Sequence, residues 1–183
     1  MTDHRRWLLL GSGGAGKTTL AAKLSQVTGL PVIHLDQHFW QPGWVESTPA
    51  VWSRKVADLC EGDEWIMDGN YSGTLDLRIP RAQAAILLDP PTIQCLWGVV
   101  SRGFSHLGKV RPDFAEGCEE RLPDLQFLHF VASYKWRSRP RVLKKIEAAS
   151  HIELFHVRSR REAGAFLETL AAERSVESSE PRP

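Results

Sequence analysis

Short apolar runs alternate with longer segments of mixed polarity along most of this chain. Five of the runs have the length and composition of buried β-strands: residues 7–10, 31–35, 64–67, 84–88 and 151–155. Segments of helical length separate them. The pattern therefore indicates parallel βαβ units, with helices on both faces of one five-stranded sheet.

The helical segments are recognised by their ends. We predict a first helix closed by Gly29, and a second that starts at Pro49 behind a Thr48 cap and runs to about Cys60. Further helices are expected over residues 92–104, as a pair within 124–149, and over 161–170.

One long stretch, residues 105–122, shows neither the hydrophobic period of a helix nor that of a strand, and it contains Gly108, Pro112 and Gly117. Connections of this length are uncommon in compact domains, so we expect a lid that closes over a ligand. The chain is then one domain over residues 1–172, with the lid at about 105–122. A disordered tail is expected over residues 173–183, which are rich in serine, proline and charge.

The turn after the first strand carries the most specific motif, a glycine-rich phosphate-binding loop. Its backbone N–H groups can surround a polyphosphate, and the following helix adds the positive end of its dipole. Lys17 is expected to reach the β and γ phosphates, and the Thr18 hydroxyl to ligate Mg²⁺. Together with the surrounding alternation, the loop predicts an α/β, three-layer P-loop NTPase fold. We expect ATP and Mg²⁺ as its cofactors, with GTP left open as the alternative nucleotide. The predicted nucleotide-binding residues are Gly11, Ser12, Gly13, Gly14, Ala15, Gly16, Lys17, Thr18 and Thr19.

Three aspartates, Asp36, Asp68 and Asp89, end strands two, three and four on the predicted sheet edge that carries this loop. Ligands of such sheets bind beyond the carboxyl ends of the strands. A single aspartate there is more commonly a helix cap or turn former. Three aspartates beside a phosphate site, however, indicate catalytic or metal-binding roles. Asp36, which an aromatic segment follows, is the candidate for orienting an acceptor hydroxyl. Asp68 and Asp89 are alternatives for supporting Mg²⁺ together with Thr18.

Arginines can supply the positive charge that a transferring phosphoryl group needs. Arg102 and Arg111 lie beside or within the lid segment, and Arg137, Arg139 and Arg141 follow within the predicted helix pair. We expect Arg102, Arg137 or Arg139 to act as charge clamps. Their spacing leaves open which of them enters the site.

Composition narrows the choice of partners. The 183-residue chain carries 23 lysines and arginines against 22 acidic residues, a net charge of +1, which argues against a general nucleic-acid partner. The three cysteines lie far apart, without zinc or disulfide spacing. No apolar run approaches a membrane span and no signal peptide precedes the first strand, so we expect a cytoplasmic protein without a membrane partner. The oligomeric state stays open.

Motifs beyond the loop carry a more specific resemblance. They comprise His34-Leu35-Asp36, Trp40, Pro42-Gly43-Trp44, Trp65-Ile66-Met67-Asp68-Gly69-Asn70-Tyr71, Arg78, Pro80-Arg81, Leu88-Asp89, Pro91 and Arg137 to Arg141. In these the chain resembles, to about Leu170, small P-loop kinases of the nucleoside monophosphate kinase superfamily. More narrowly, it is similar to adenylate kinase-like DNA topology modulation (FlaR-related) proteins.

This resemblance implies an ATP-dependent phosphotransferase. Asp68-Gly69 matches the Asp-Gly that follows the third strand of adenylate kinases, where the Asp helps to organise the waters of Mg²⁺. The segment around Asp36 resembles the acceptor-side acid of shikimate, gluconate and uridine kinases.

Three functions are compatible with these features. The leading hypothesis is a Mg²⁺-dependent kinase that moves the γ-phosphate of ATP to a nucleoside, a nucleotide or another hydroxylated metabolite. The second is a slow ATPase that acts as a switch on a partner, which would expose the aromatic segment from Phe39 to Trp44 instead of folding it over an acceptor. The third is DNA contact through the basic cluster from Arg137 to Lys145, although no helix-turn-helix, zinc finger or stacking platform accompanies it.

Overall fold

A five-stranded parallel sheet forms the centre of the molecule, as the alternating pattern predicts. In the computed structural model, which describes residues 4–179, the strands are β1 (Arg6–Gly11), β2 (Val32–His34), β3 (Trp40–Gln41), β4 (Val45–Glu46), β5 (Trp65–Asp68), β6 (Ala84–Leu88) and β7 (Glu153–Val157). The sheet has the order β2-β5-β1-β6-β7, and its neighbouring strands are all parallel. β3 and β4 form a separate antiparallel hairpin. The carboxyl ends of β5 and β6 therefore flank the loop that follows β1.

Helices cover both faces of the sheet. They are α1 (Lys17–Thr28), α2 (Leu35–Phe39), α3 (Pro49–Cys60), α4 (Leu75–Arg78), α5 (Thr92–Ser105), α6 (Leu125–Arg137), α7 (Arg139–Glu147) and α8 (Arg160–Ser179). In β1, Leu8 and Leu10 pack towards α3, α4 and α7, whereas Trp7 and Leu9 pack towards α1 and α8. This confirms the predicted three-layer α/β fold. None of the helices within residues 4–179 combines the length and the apolar character needed to cross a bilayer.

The predicted boundaries hold for α3 and α5, and they fail for the short elements and for the end of α8. α3 begins at Pro49 and ends at Cys60 as predicted, whereas α2, α4 and the β3–β4 hairpin are too short for a hydrophobic period to reveal. β2 ends at His34, so Asp36 lies in the first turn of α2 and does not end the strand. α8 continues to Ser179, beyond its predicted end at about residue 170. Residues 180–183 of the predicted disordered tail lie outside the described residues.

The segment between α5 and α6 is irregular, as its composition predicts. Residues 106–124 contain no helix or strand apart from an isolated bridge between Val110 and Glu119. The segment leaves the end of α5 and returns at α6, and these two helices pack together beside the phosphate-binding loop. It is therefore anchored at both ends close to that loop.

Two glycines let α5 pack directly on the phosphate-binding loop. A Cβ on Gly98 would lie 2.6 Å from the carbonyl oxygen of Gly14, and a Cβ on Gly14 would lie 2.1 Å from that of Cys95. Gly14 also has a φ of 74°, which an L side chain rarely adopts. The loop and the helix therefore approach each other backbone to backbone, and α5 lies directly behind the loop.

We expect Gly98→Ala to lower the free energy of unfolding by about 1–3 kcal/mol, because the added methyl group overlaps the Gly14 carbonyl. Gly164→Ala in α8 is the matched control. Its Cβ would meet no atom within 4 Å, and because alanine favours helix it should stabilise the protein by up to about 1 kcal/mol. Urea denaturation followed by circular dichroism measures both variants. Equal stabilities would contradict the close contact.

Candidate active site

The phosphate-binding loop lies at the carboxyl end of the central strand. Residues 11–19, all of the predicted nucleotide-binding residues, run from the end of β1 into the first turn of α1. The Lys17 Nζ donates to the Ser12 carbonyl oxygen at 3.0 Å, so the ammonium group lies across the loop. Gly16, with a φ of 96°, turns the chain into α1. Thr18 is half-buried in the first helical turn and Thr19 is exposed.

Asp68, the last residue of β5, connects this loop to β2. Its Oδ2 accepts a hydrogen bond from Thr18 Oγ1 at 2.8 Å and lies 3.1 Å from His34 Nδ1. Burial alone would raise the pKa of Asp68, but the His34 hydrogen bond, the Lys17 charge and the Thr18 hydrogen bond together lower it. Burial alone would lower the pKa of His34, and Asp68 raises it above its ordinary value. Asp68 is therefore ionised at neutral pH beside the Thr18 hydroxyl.

Asp36 faces the same loop from the first turn of α2. Its Oδ1 accepts a hydrogen bond from the Tyr71 hydroxyl. Burial raises the pKa of Asp36, and the Tyr71 hydrogen bond and the Lys17 charge offset this rise only in part. A carboxyl group with a raised pKa beside a phosphate-binding lysine has the character of a general base.

Three charged side chains of the irregular segment are buried over the loop. Arg111 contacts both carboxylate oxygens of Asp113 and donates to Glu120 Oε2 at 2.9 Å. Asp113 Oδ2 in turn lies 3.3 Å from Thr18 Oγ1. Arg102 extends the network, with its Nε 3.4 Å from Glu120. Burial, together with the charge of Arg111, lowers the pKa of Arg102. The segment thus reaches the start of α1 through a carboxylate.

The same segment rests on α2 and the β3–β4 hairpin. The Gln37 side chain donates to the Pro112 carbonyl oxygen, and Trp44 Nε1 donates to the Glu119 carbonyl oxygen at 2.9 Å. Aromatic rings whose centroids lie 4.8–5.3 Å apart fill the space beneath: Phe39, Trp40, Trp44, Trp52, Tyr71 and Phe114. The aromatic rings of the segment from Phe39 to Trp44 are therefore half-buried under the irregular segment, whereas residues 41–43 are exposed.

The remaining predicted site residues lie on the other side of the phosphate-binding loop or away from it. Asp89, directly after β6, has its Oδ2 2.8 Å from Arg139 Nε and 3.1 Å from His156 Nε2. Because β5 and β6 flank β1 on opposite sides, the structure groups Asp36 and Asp68 around the start of α1 and separates Asp89 from them. Arg137 is exposed at the end of α6.

Two residues at the site carry no sequence signal of their role. Asp113 lies in a segment without periodicity, where a Pro-Asp pair has the appearance of an ordinary turn. Tyr71 follows a strand end, yet its hydroxyl contacts a residue 35 positions earlier in the chain. Only the packing of α2 against the turn after β5 brings Tyr71 and Asp36 together.

Thr18 and Asp68 form an oxygen pair that suits Mg²⁺. Magnesium prefers hard oxygen ligands and retains several waters, so a hydroxyl group and one carboxylate are sufficient protein partners. Within residues 4–179 no group of three or more His, Cys, Asp or Glu side chains could hold a metal ion by itself. A magnesium ion here would therefore take its other ligands from phosphate oxygens and water.

Comparison with known proteins identifies the fold. Neither a family model nor the sequence of a characterised protein matches the chain. The structure of shikimate kinase from Acinetobacter baumannii in complex with shikimate matches with a TM-score of 0.58 at 14% identity, over 98% of this chain and 97% of that one. Shikimate kinase from Bacteroides thetaiotaomicron matches with a TM-score of 0.53 at 14% identity, over 94% and 99%. Shikimate kinase from Aquifex aeolicus matches with a TM-score of 0.50 at 12% identity, over 96% of this chain and 99% of that one. The chain thus has the fold of P-loop kinases.

We expect Asp113→Asn to lower the free energy of unfolding by about 3 kcal/mol, because Arg111 loses a buried anionic partner. The amides of residues 109–120 should then exchange with solvent faster than in the wild type. Glu116→Gln, at an exposed position in the same segment, is the matched control and should change neither quantity. Hydrogen exchange with mass spectrometry and urea denaturation measure the two effects. Unchanged protection in Asp113→Asn would mean that this ion pair does not hold the segment in place.

Proposed function

We propose that the protein is an ATP-dependent kinase that transfers the γ-phosphate of ATP to a hydroxyl group of a small acceptor. The observation that carries this proposal is the convergence of three groups at one end of the sheet. These groups are the complete phosphate-binding loop, the Thr18–Asp68 oxygen pair and the half-buried carboxyl group of Asp36.

The proposed acceptor is a nucleoside, a nucleotide or another hydroxylated metabolite. This class follows from the resemblance of the segment around Asp36 to the acceptor side of shikimate, gluconate and uridine kinases. On the strength of its other motifs, we also propose that the chain belongs to the adenylate kinase-like DNA topology modulation subfamily and acts in the cytoplasm. The nearly neutral charge gives a direct DNA contact no support.

On the donor side, the loop amides and Lys17 would bind the β and γ phosphates of ATP. Thr18 and Asp68 would hold Mg²⁺, which when bound neutralises phosphate charge. Asp68 suits this role better than Asp89, because Asp68 contacts the Thr18 hydroxyl whereas Asp89 is paired with Arg139.

On the acceptor side, Asp36 would orient the reacting hydroxyl. The acceptor oxygen forms a bond to the γ-phosphorus, and the bond from that phosphorus to the β,γ-bridging oxygen breaks. ADP leaves with the electron pair, and Asp36 receives the hydroxyl proton. The packing of the half-buried aromatic rings from Phe39 to Trp44 favours this function over a regulator, which would present these rings to a partner.

Arginines of the buried network are our candidates for stabilising the transferring group. Arg102 and Arg111 are paired with carboxylates, and phosphate oxygens could replace those partners, because guanidinium groups bind both anions in the same geometry. Arg139 would become available if its pair with Asp89 opened. Arg137 would need the end of α6 to approach the loop.

The first test is ADP release from ATP and Mg²⁺ across a panel of nucleosides, nucleoside monophosphates and small hydroxylated metabolites. One acceptor class should stimulate turnover. Lys17→Ala should reduce the stimulated rate at least about a hundredfold, because it removes a cation from the transferring phosphate. Asp36→Asn should abolish stimulation while leaving ATP affinity near that of the wild type.

Two exposed positions provide matched controls: Lys23→Ala in α1 and Asp58→Asn in α3 should both retain the stimulated rate. If Lys17→Ala kept full turnover, or if Asp36→Asn lost ATP affinity and turnover equally, the proposed roles would be wrong.

We further expect Asp68→Asn to weaken ATP binding in the presence of Mg²⁺ about tenfold or more, because a neutral amide supports the hydrated cation poorly. With EDTA present, the variant and the wild type should bind ATP with similar affinity. Calorimetric titration under the two conditions measures the difference. An equal loss of affinity in both would mean that Asp68 supports ATP binding only through the architecture of the site and not through the metal ion.

A second function, a slow ATPase that acts on a partner, is favoured by a different surface. Ile93, Trp97 and Phe104 lie on one side of α5 and are 72%, 70% and 64% exposed, and such apolar surface is typical of interaction sites. The acceptor panel separates the two functions, because a switch would show a uniformly slow rate with every small molecule.

A further inference from the structure

Tyr71 lies in a strained turn directly after β5. Its φ of 23° and ψ of 62° are left-handed, a conformation that a residue with a side chain rarely adopts. The turn is also pressed against the start of α2, since a Cβ on Gly69 would lie 2.8 Å from the Leu35 Cβ. This contact brings residue 71 in front of the helical turn that contains Asp36.

A buried arginine holds the turn closed. Arg78 is 0% exposed, and its guanidinium group donates to the carbonyl oxygens of Gly69 at 3.0 Å, Asn70 at 2.8 Å and Tyr71 at 3.0 Å. Burial lowers the pKa of Arg78 to about 10. Burial of a guanidinium group is unfavourable unless hydrogen bonds satisfy its N–H groups. The buried guanidinium group of Arg78 therefore holds three consecutive carbonyl groups in place.

The turn places the hydroxyl group of Tyr71 beside the carboxyl group of Asp36. It donates to Asp36 Oδ1, and the ring is fixed by Phe39 and Trp52, whose centroids lie 4.9 and 4.8 Å away. Burial and the charge of Asp36 raise the pKa of Tyr71, so the hydroxyl stays protonated and remains a donor. Tyr71 can therefore orient a carboxylate but cannot itself act as a base at neutral pH.

We propose that Tyr71 is a positioning residue for phosphoryl transfer, whose hydroxyl fixes one oxygen of the Asp36 carboxylate and leaves Oδ2 to receive the acceptor proton. This inference rests on the proposed kinase function and adds to it. The strained turn sets the plane of the carboxylate, and that plane in turn sets where the acceptor hydroxyl must lie. The buried Arg78 acts through this turn, at a distance from the reacting atoms.

Tyr71→Phe isolates the hydrogen bond from the other groups that act on Asp36. The variant keeps the ring and its packing and leaves every neighbouring charge in place. Those neighbours come from separate elements: Lys17 in α1, His34 in β2, Asp68 in β5, Arg102 in α5 and Asp113 in the irregular segment.

The test is a ¹³C NMR titration of the aspartate carboxyl groups in nucleotide-free protein, with the Asp36 signal assigned from Asp36→Asn. In Tyr71→Phe the pKa of Asp36 should rise by about one unit, a tenfold change in its ionisation constant, because the charged form loses a hydrogen bond. Tyr134→Phe removes the other tyrosine hydroxyl, which donates to Asn70 Oδ1 at 3.3 Å. It is the matched control and should leave the Asp36 titration unchanged.

Turnover provides an independent readout. With a stimulating acceptor, Tyr71→Phe should lose about tenfold or more in kcat, keep the KM for ATP, and show the acid limb of its pH profile at higher pH than the wild type. An unchanged Asp36 titration overturns the inference, as does a shifted titration with unchanged kcat. If no acceptor stimulates the wild type, the kinase function fails, and the titration alone then decides whether Tyr71 positions the carboxylate.

Discussion

One buried carboxylate, that of Asp68, holds the parts of the site in register. It ends the strand next to β1 and contacts Thr18 in α1 and His34 in β2, so a single group joins three elements of the sheet edge. Removing one partner from such a buried charged cluster typically costs about 3–5 kcal/mol. The start of α1 and the end of β2 are therefore aligned by the fold itself, as preorganised electrostatic sites require.

The buried network above this carboxylate is internally neutral. Two arginines, Arg102 and Arg111, face two acids, Asp113 and Glu120, so the irregular segment can lie over the loop without an anion to balance it. Aromatic rings beneath the segment add apolar contact and exclude water from the space around Asp36. Burial disfavours the charged form of each of these groups, which raises the pKa of Asp36 and lowers the pKa of Arg102.

The sequence predicts the fold well because strand and helix periods are local properties. The apolar run before Gly11 and the Pro49 helix start are read from neighbouring residues, and the structure contains both. The predicted strand position of Asp36 is wrong because a five-residue helix such as α2 is too short to show a hydrophobic period. Asp113 and Tyr71 lie beyond prediction for a different reason. Their partners are far away in the chain, and only packing determines that Asp113 approaches Thr18 or that Tyr71 reaches Asp36.

The close contact between Gly14 and Gly98 links the position of α5 to that of the phosphate-binding loop. Atoms that are closely packed cannot approach further, so a shift of the loop at Gly14 towards α5 would displace the helix at Gly98. If a rigid helix tilts slightly about Gly98, its end about 10 Å away moves by a larger distance. That end, Ser105, is where the irregular segment begins. A movement of the loop towards α5 would therefore be carried to the start of the irregular segment.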